Sequence, residues 1–288
     1  ILRMQDPSMR EEYLATAKTK PSILLKGDTP RLIDEWQDAP MLWDAVRTTV
    51  DDRQIPGQFI LTGSNAVDKS QIHHSGAGRI ARLRMLPMSL WESQESTGEV
   101  SLKELFNNPD YDIDGKMSKM TVEDLIFAAS RGGWPASLLA RTPKAQLLVA
   151  KNYVQTICSD DVSGIDGKKR DAKLTSMILR AYARNVSTLV KKKSLLDDVT
   201  SSGEVSCHVD TFDDYVSALE KLFVIQNISA WCPAIRSKTA IRSSVKRCFC
   251  DPSIPIALLG LSPESLSMQL RTFGFIFEQM CIRDLKAY

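Results

Sequence analysis

No apolar run in the sequence approaches the roughly 18 residues that a membrane-crossing helix needs. The first residues, Ile1-Leu2-Arg3-Met4, form no extended apolar segment, so no secretory signal is read there. The chain does not begin with Met, and the expectation is a fragment. Histidine is scarce, with His73, His74 and His208 only, and no H-E-x-x-H occurs. The cysteines Cys158, Cys207, Cys232, Cys248, Cys250 and Cys281 form no C-x-x-C. A metal site built from Cys and His is therefore disfavoured, and reduced thiols in a cytoplasm are expected. Charge of one sign is also lacking: 37 basic against 35 acidic side chains leave +2, so no global surplus points to nucleic acid. No internal repeat or low-complexity tract is found.

The 288 residues set a prior of about two domains. Charge is balanced globally but not locally. Residues 168–193 carry Lys168, Lys169, Arg170, Lys173, Arg180, Arg184, Lys191, Lys192 and Lys193 against Asp171, which is 9 − 1 = +8. Residues 234–247 add Arg236, Lys238, Arg242, Lys246 and Arg247 without an acid. Residues 92–124 run the other way. Shifts of this kind mark domain changes.

Three segments of the first third read as strands: Arg31-Leu32-Ile33, Gln58 to Thr62, and Arg82 to Leu90. Ile1 to Met4 is a candidate strand edge. Between the first two strands, a helix opened by Pro40 places Leu42, Ala45, Val46 and Val50 on one face. This is a β-α-β unit with a parallel sheet. From about 121 the chain turns helical. Thr121 and Asp124 form a capping-box pattern, and Gly132-Gly133 breaks the helix they start. Helices are expected over 143–158, 171–190 and 194–200. Another is capped by Thr211 and runs to about Phe223, and a last one starts near Phe273. Val224 to Ile228 and Val245 to Cys250 are expected to pair as strands. Three helices followed by a hairpin suggest a winged helix-turn-helix.

The most informative stretch is Arg31-Leu32-Ile33-Asp34-Glu35, where two acids stand at the carboxyl end of a buried strand. Open α/β sheets bind ligands at that end. The first acid suits Mg²⁺, which takes oxygen ligands. The second suits orienting or deprotonating an attacking water in phosphoryl transfer. Two solvated acids at a strand end are the alternative. The next strand ends in Thr62-Gly63-Ser64-Asn65, and Gly78-Arg79 follows.

That series resembles the AAA+ ATPases. The chain is more closely similar to a prokaryotic family of ATP-binding proteins that join an AAA+ module to a C-terminal region. The resemblance runs over nearly the full chain, through RLIDEWQDAPMLWDAVR, GQFILTGSNA, GAGRIARLRMLPMSLWES, GGWPASLL, ALEKLFVIQNISAWCPAIRSK, KRCFCDPSIPIALLG and TFGFIFEQMCIRDLKAY. It implies ATP and Mg²⁺ as cofactors, with Asp34 as the Walker B metal ligand and Glu35 as the catalytic glutamate. It implies Thr62 as sensor 1, with Ser64 and Asn65 as alternatives. Arg79 matches the arginine that reaches a neighbouring subunit, which implies a homo-oligomer. Gly133 and Pro135 fall where the adenine site is lined, although a helix-breaking turn is an equal reading. One departure stands out: no G-x-x-x-x-G-K-[ST] occurs. In the family that loop lies ahead of where this chain starts. The chain alone is therefore expected to bind ATP poorly and not to hydrolyse it at a useful rate.

The resulting expectation is a partial AAA+ parallel sheet lacking its first strand and helix, a helical lid, a winged helix and the start of a third α/β domain. The boundaries are 1–125, 126–165, 166–250 and 251–288. DNA contact is assigned to Lys191, Lys192, Lys193 and Arg242. The candidate recognition helix is itself acidic, with Asp213, Asp214 and Glu220 against Lys221. By resemblance, Glu278 matches the first acid of a nuclease-like domain, but one carboxylate does not assemble such a site. The expected function is Mg²⁺-dependent ATP hydrolysis that drives or switches a winged-helix module on DNA or a protein. A non-catalytic, nucleotide-gated binding module is the alternative. No membrane partner is expected.

Overall fold

Short apolar strands ending in polar residues build a three-stranded parallel sheet in the computed structural model, which describes residues 1–64, 76–201, 203–231 and 244–288. The strands are β1 (Leu2–Arg3), β2 (Arg31–Asp34) and β3 (Phe59–Thr62), in the order β1-β2-β3. Parallel neighbours need crossovers, and two helices supply them: α1 (Arg10–Thr19) and α2 (Met41–Arg53). The register pairs Arg3 with Asp34 and Asp34 with Thr62, so three polar strand ends stand side by side. Ile33 of the central strand is fully buried among Met4, Leu25, Leu42 and Val46. These elements lie in the first of two compact units, Ile1–Arg84 and Met85–Tyr288.

The segment Arg82 to Leu90 is not a strand. Leu83 is 92% and Met85 87% exposed, so alternation there has no sheet face to bury. The Arg82 guanidinium instead lies 5.0 Å from the centre of the Trp43 ring.

The second unit is helical. Its helices among the described residues are α3 (Leu102–Asn107), α4 (Val122–Arg131), α5 (Pro135–Leu139), α6 (Pro143–Thr156), α7 (Val162–Gly164), α8 (Ala172–Arg184), α9 (Lys192–Thr200), α10 (Val209–Lys221), α11 (Ser253–Leu258), α12 (Pro263–Ser267) and α13 (Leu270–Ala287). The Thr121–Asp124 capping box forms as the sequence indicates, and Gly132, at φ 73°, ends α4. A single apolar core runs from Ile126 to Met280 and includes Phe273 and Ile276 of α13. Among the described residues, no helix is long and apolar enough to cross a membrane.

Several element ends differ from expectation. The helix expected over 143–158 passes into a π-helical turn, Ile157–Asp161. That expected over 171–190 stops at Arg184, because Ser187 turns at φ 60° and the backbone of 187–188 bonds to Arg247 instead. Leu189 is consequently 60% exposed. The N-cap of α10 is His208, not Thr211. Starting there aligns Phe212, Tyr215, Ala218 and Leu219 toward the core. The last helix begins at Leu270, three residues before Phe273.

Residues 224–228 and 246–250 pair through antiparallel bridges, Ile225 with Phe249 and Ile228 with Lys246, rather than as full strands. The outer edge at Phe249 is closed by a side chain. Gln279 of α13 accepts from the Phe249 N–H at 3.0 Å and donates to its carbonyl at 2.7 Å.

Candidate functional site

The carboxyl ends of β2 and β3 bring the expected acids and hydroxyls together. Asp34 and Thr62 are register partners on adjacent strands. The Thr62 hydroxyl donates to Asp34 Oδ1 at 2.7 Å. Asp34 Oδ2 accepts no hydrogen bond among the described residues. Directly after β2 the backbone turns left-handed at Glu35, with φ 54° and ψ 46°, and enters a 3-10 turn, Trp36–Asp38. A non-glycine residue there is strained, and such strain gathers at functional positions. The turn keeps the Glu35 carboxylate at the strand ends, where Ser64 Oγ donates to Oε2 at 3.3 Å. Asp34, Glu35 and Thr62 are half-buried, whereas Gly63 and Ser64 are exposed, so the cluster opens to solvent on one side.

Sequence reasoning missed Gln37. Its Nε2 donates to Glu35 Oε2 and lies 3.4 Å from Ser64 Oγ. The available signal was position: one short turn after an acid that ends a strand.

Arg79 does not join this cluster through any described contact. Its Nε donates to Asp51 Oδ1 at 2.9 Å, near the end of α2, and its side chain is half exposed. Asn65 lies outside the described residues, as do His73 and His74.

Gly133 belongs to a buried polar junction in the second unit. Its N–H donates to Asp251 Oδ2 at 2.9 Å and its carbonyl accepts from the Met88 N–H at 2.7 Å. A Cβ added at Gly133 would lie 2.2 Å from the Met88 carbonyl oxygen. Asp251 also accepts from Arg283 Nη1 at 3.1 Å, and Arg283 Nε donates to Asp284 at 2.7 Å. Asp284 in turn accepts from the Leu90 N–H at 3.1 Å. Pro135 is exposed at the first position of α5. Both polar groups of the Gly133 backbone are thus already engaged within the protein.

The basic stretch 168–193 is largely neutralised by its own neighbours. Arg170, almost wholly buried, forms a two-pronged pair with Asp166 and reaches Asp214. Its hydrogen bonds hold the Asp166 carboxyl at about 2, well below the usual carboxylate value. Lys168 pairs with Asp214, Lys173 with Glu204, Arg184 with Asp198 and Lys192 with Asp213. Asp213 and Asp214, two of the α10 acids that argued against a recognition helix, are partners of these cations. Lys191, Lys192 and Lys193 are all exposed at the start of α9. Arg242, Arg236 and Lys238 lie outside the described residues. The Glu278 carboxylate is ion-paired with Lys246.

Among the described residues, Asp34, Glu35, Thr62 and Ser64 offer oxygen atoms at the strand ends, which fits a hard divalent cation. Among the described residues, no group of three or more His, Cys, Asp or Glu side chains converges on a point. Mg²⁺ is commonly held by one or two carboxylates together with substrate phosphates, and the Asp34 carboxylate fits that requirement.

Comparison with known proteins agrees with the architecture of the first unit. Residues 2–94 match the family model of an AAA domain, which supports an AAA-type P-loop domain in this region. No curated protein and no solved structure gives a match. Residues 122–265, half of the chain, match the family model described as Domain of unknown function (DUF8612), and the chain belongs to that family.

Proposed function

We propose that the ends of β2 and β3 form the hydrolytic half of an ATPase site. The observation that carries this reading is the Thr62–Asp34 hydrogen bond across register partners, with Glu35 held beside it in a left-handed turn. Asp34 would hold Mg²⁺ through the oxygen that Thr62 leaves open. When bound with the phosphates, the ion offsets charge on the transferred group. Thr62 orients Asp34. Glu35 orients the attacking water and takes its proton. Arg79, half exposed on Asp51, is the residue assigned to the nucleotide of a neighbouring copy. The phosphate cradle is not supplied by a G-x-x-x-x-G-K-[ST] within residues 1–288, so these residues alone are expected to bind ATP weakly. The test is Mg²⁺-ATP hydrolysis by residues 1–288 and by the protein as its gene encodes it. Turnover by the latter, abolished by Glu35→Gln, supports the reading. No turnover by either overturns it in favour of a binding module.

The second unit is read as the module that ATP turnover drives or switches. Helices α8 to α10 followed by the 224–250 bridges support a winged helix. Exposed Lys191 and Lys193 support contact with phosphates. The internal pairing of Lys168, Arg170, Lys173, Arg184 and Lys192 favours the second reading, docking onto a protein. A gel shift separates the two. Loss of a salt-sensitive DNA complex on changing Lys191, Lys192 and Lys193 to Glu supports DNA binding, and no complex with wild-type protein supports docking. No nuclease role is assigned to Glu278.

A further inference from the structure

We propose that Gln37 is the positioning residue that aims the Glu35 carboxylate, an inference that rests on the ATPase reading above. The left-handed turn at Glu35 folds the chain back, so that the side chain two residues later returns to the acid. The Gln37 carboxamide has two N–H groups and faces two oxygens, Glu35 Oε2 and Ser64 Oγ. Ser64 also donates to Glu35 Oε2. Carboxylate, carboxamide and hydroxyl therefore close a three-membered ring of contacts around one oxygen of Glu35. The other oxygen, Oε1, accepts no hydrogen bond among the described residues and is the one left for water.

Electrostatics fixes the orientation of the amide. Rotating Gln37 by a half turn would set its carbonyl against the Glu35 carboxylate and replace an attraction by a repulsion. The present orientation carries its own cost, because Gln37 Oε1 is buried without a hydrogen-bond partner. It lies against Gly63, where an added Cβ would sit 2.4 Å from that oxygen and 3.3 Å from Cδ. A missing side chain at the end of β3 thus makes room for the glutamine that reaches over from the end of β2. Three local sacrifices converge on one arrangement: a left-handed Glu35, an unpaired amide oxygen and a glycine at a strand end. Such convergence marks a functional constraint. Glutamine neither ionises nor takes up the proton of the attacking water, so its part is to hold Glu35.

The test measures kcat and KM for Mg²⁺-ATP with the protein as its gene encodes it. Gln37→Met keeps length and volume but removes both N–H groups. It is expected to lower kcat about 10- to 100-fold, the scale of a misplaced catalytic group, and to leave KM within about twofold. The double variant Glu35→Gln/Gln37→Met is expected to be no worse than Glu35→Gln alone, because Gln37 acts only through Glu35. Gly63→Ala pushes the carboxamide aside from the opposite strand and is expected to lose kcat in the same way. A loss confined to KM, losses that multiply in the double variant, or unchanged kcat in Gln37→Met overturns the proposal while the ATPase reading stands. A wild-type protein without turnover, or Glu35→Gln with full turnover, overturns the ATPase reading and this proposal with it.

Discussion

Thr62 and Asp34 face each other as register partners on neighbouring parallel strands, and the threonine hydroxyl donates to the aspartate at 2.7 Å. The bond fixes which carboxylate oxygen remains open. Thr62→Val keeps the branched shape that suits a strand and removes the donor. We expect a loss of about 1 kcal/mol in stability and roughly a tenfold fall in kcat for Mg²⁺-ATP. Urea denaturation and steady-state hydrolysis check the two effects separately.

Glu35 pays a conformational penalty that glycine would not. Replacing it with glycine relieves a left-handed backbone that costs of order 1–3 kcal/mol for other residues, while removing the contacts to Gln37 and Ser64. Glu35→Gly is therefore expected to be as stable as wild type or slightly more so, and inactive. A thermal midpoint well below that of wild type would show that the side-chain contacts outweigh the backbone strain.

Asp251 and Arg283 are both withdrawn from water, with 0% and 2% of their side-chain surface exposed. Removing Asp251 leaves Arg283 with Asp284 alone as its described ion-pair partner. Asp251→Ala is expected to lose about 3–5 kcal/mol, since it leaves the Gly133 N–H and one arm of Arg283 unpaired. Chemical denaturation of the variant beside wild type measures this.

Acid should act on the second unit through Arg170. Its hydrogen bonds depress the Asp166 carboxyl from 3.8 to about 2. Asp214 is lowered as well, by hydrogen bonds first from Lys168 and then from Arg170. A depressed carboxyl stabilises the fold above its unfolded value, and that stability is lost as pH falls through the folded one. Wild type should thus lose stability between about pH 4 and pH 2. Arg170→Met should be weaker at neutral pH and lose less over the same interval. Denaturant midpoints across that range, followed by circular dichroism, give the answer.

Much of the first unit was legible because its signals are local. A strand must end where apolar residues give way to Asp34-Glu35 or Thr62-Gly63, and Pro40 opens the helix between them. The capping box at Thr121 and Asp124 was readable for the same reason. Readings failed where a distant segment decided the outcome. The helix at Arg184 ends because the backbone of Ser187 and Thr188 finds Arg247, some 60 residues later. Arg82 to Leu90 has the alternation of a strand but no sheet face against which to express it. The basic surplus of 168–193 gave no sign of Asp198, Glu204, Asp213 and Asp214, the acids that folding brings to it. Only the Asp166–Arg170 pair, four residues apart, was visible in one dimension. Gln37 was hidden because its meaning depends on the sign of one dihedral angle at Glu35.

The junction around Asp251 also sets a timetable. Gly133 needs Asp251, and Asp251 needs Arg283, which the ribosome adds 283 − 133 = 150 residues after the glycine. At roughly 5–20 residues per second, that delay is about 8–30 seconds. Until Arg283 arrives, the junction at Gly133 and Asp251 stays incomplete and an apolar face waits for the last helix. The strand-end cluster of Asp34, Glu35 and Thr62 draws its partners from the first 64 residues and is free of that delay. A nascent chain halted before Arg283 should therefore be protease-sensitive across the second unit, and hold on to chaperones that the finished chain releases.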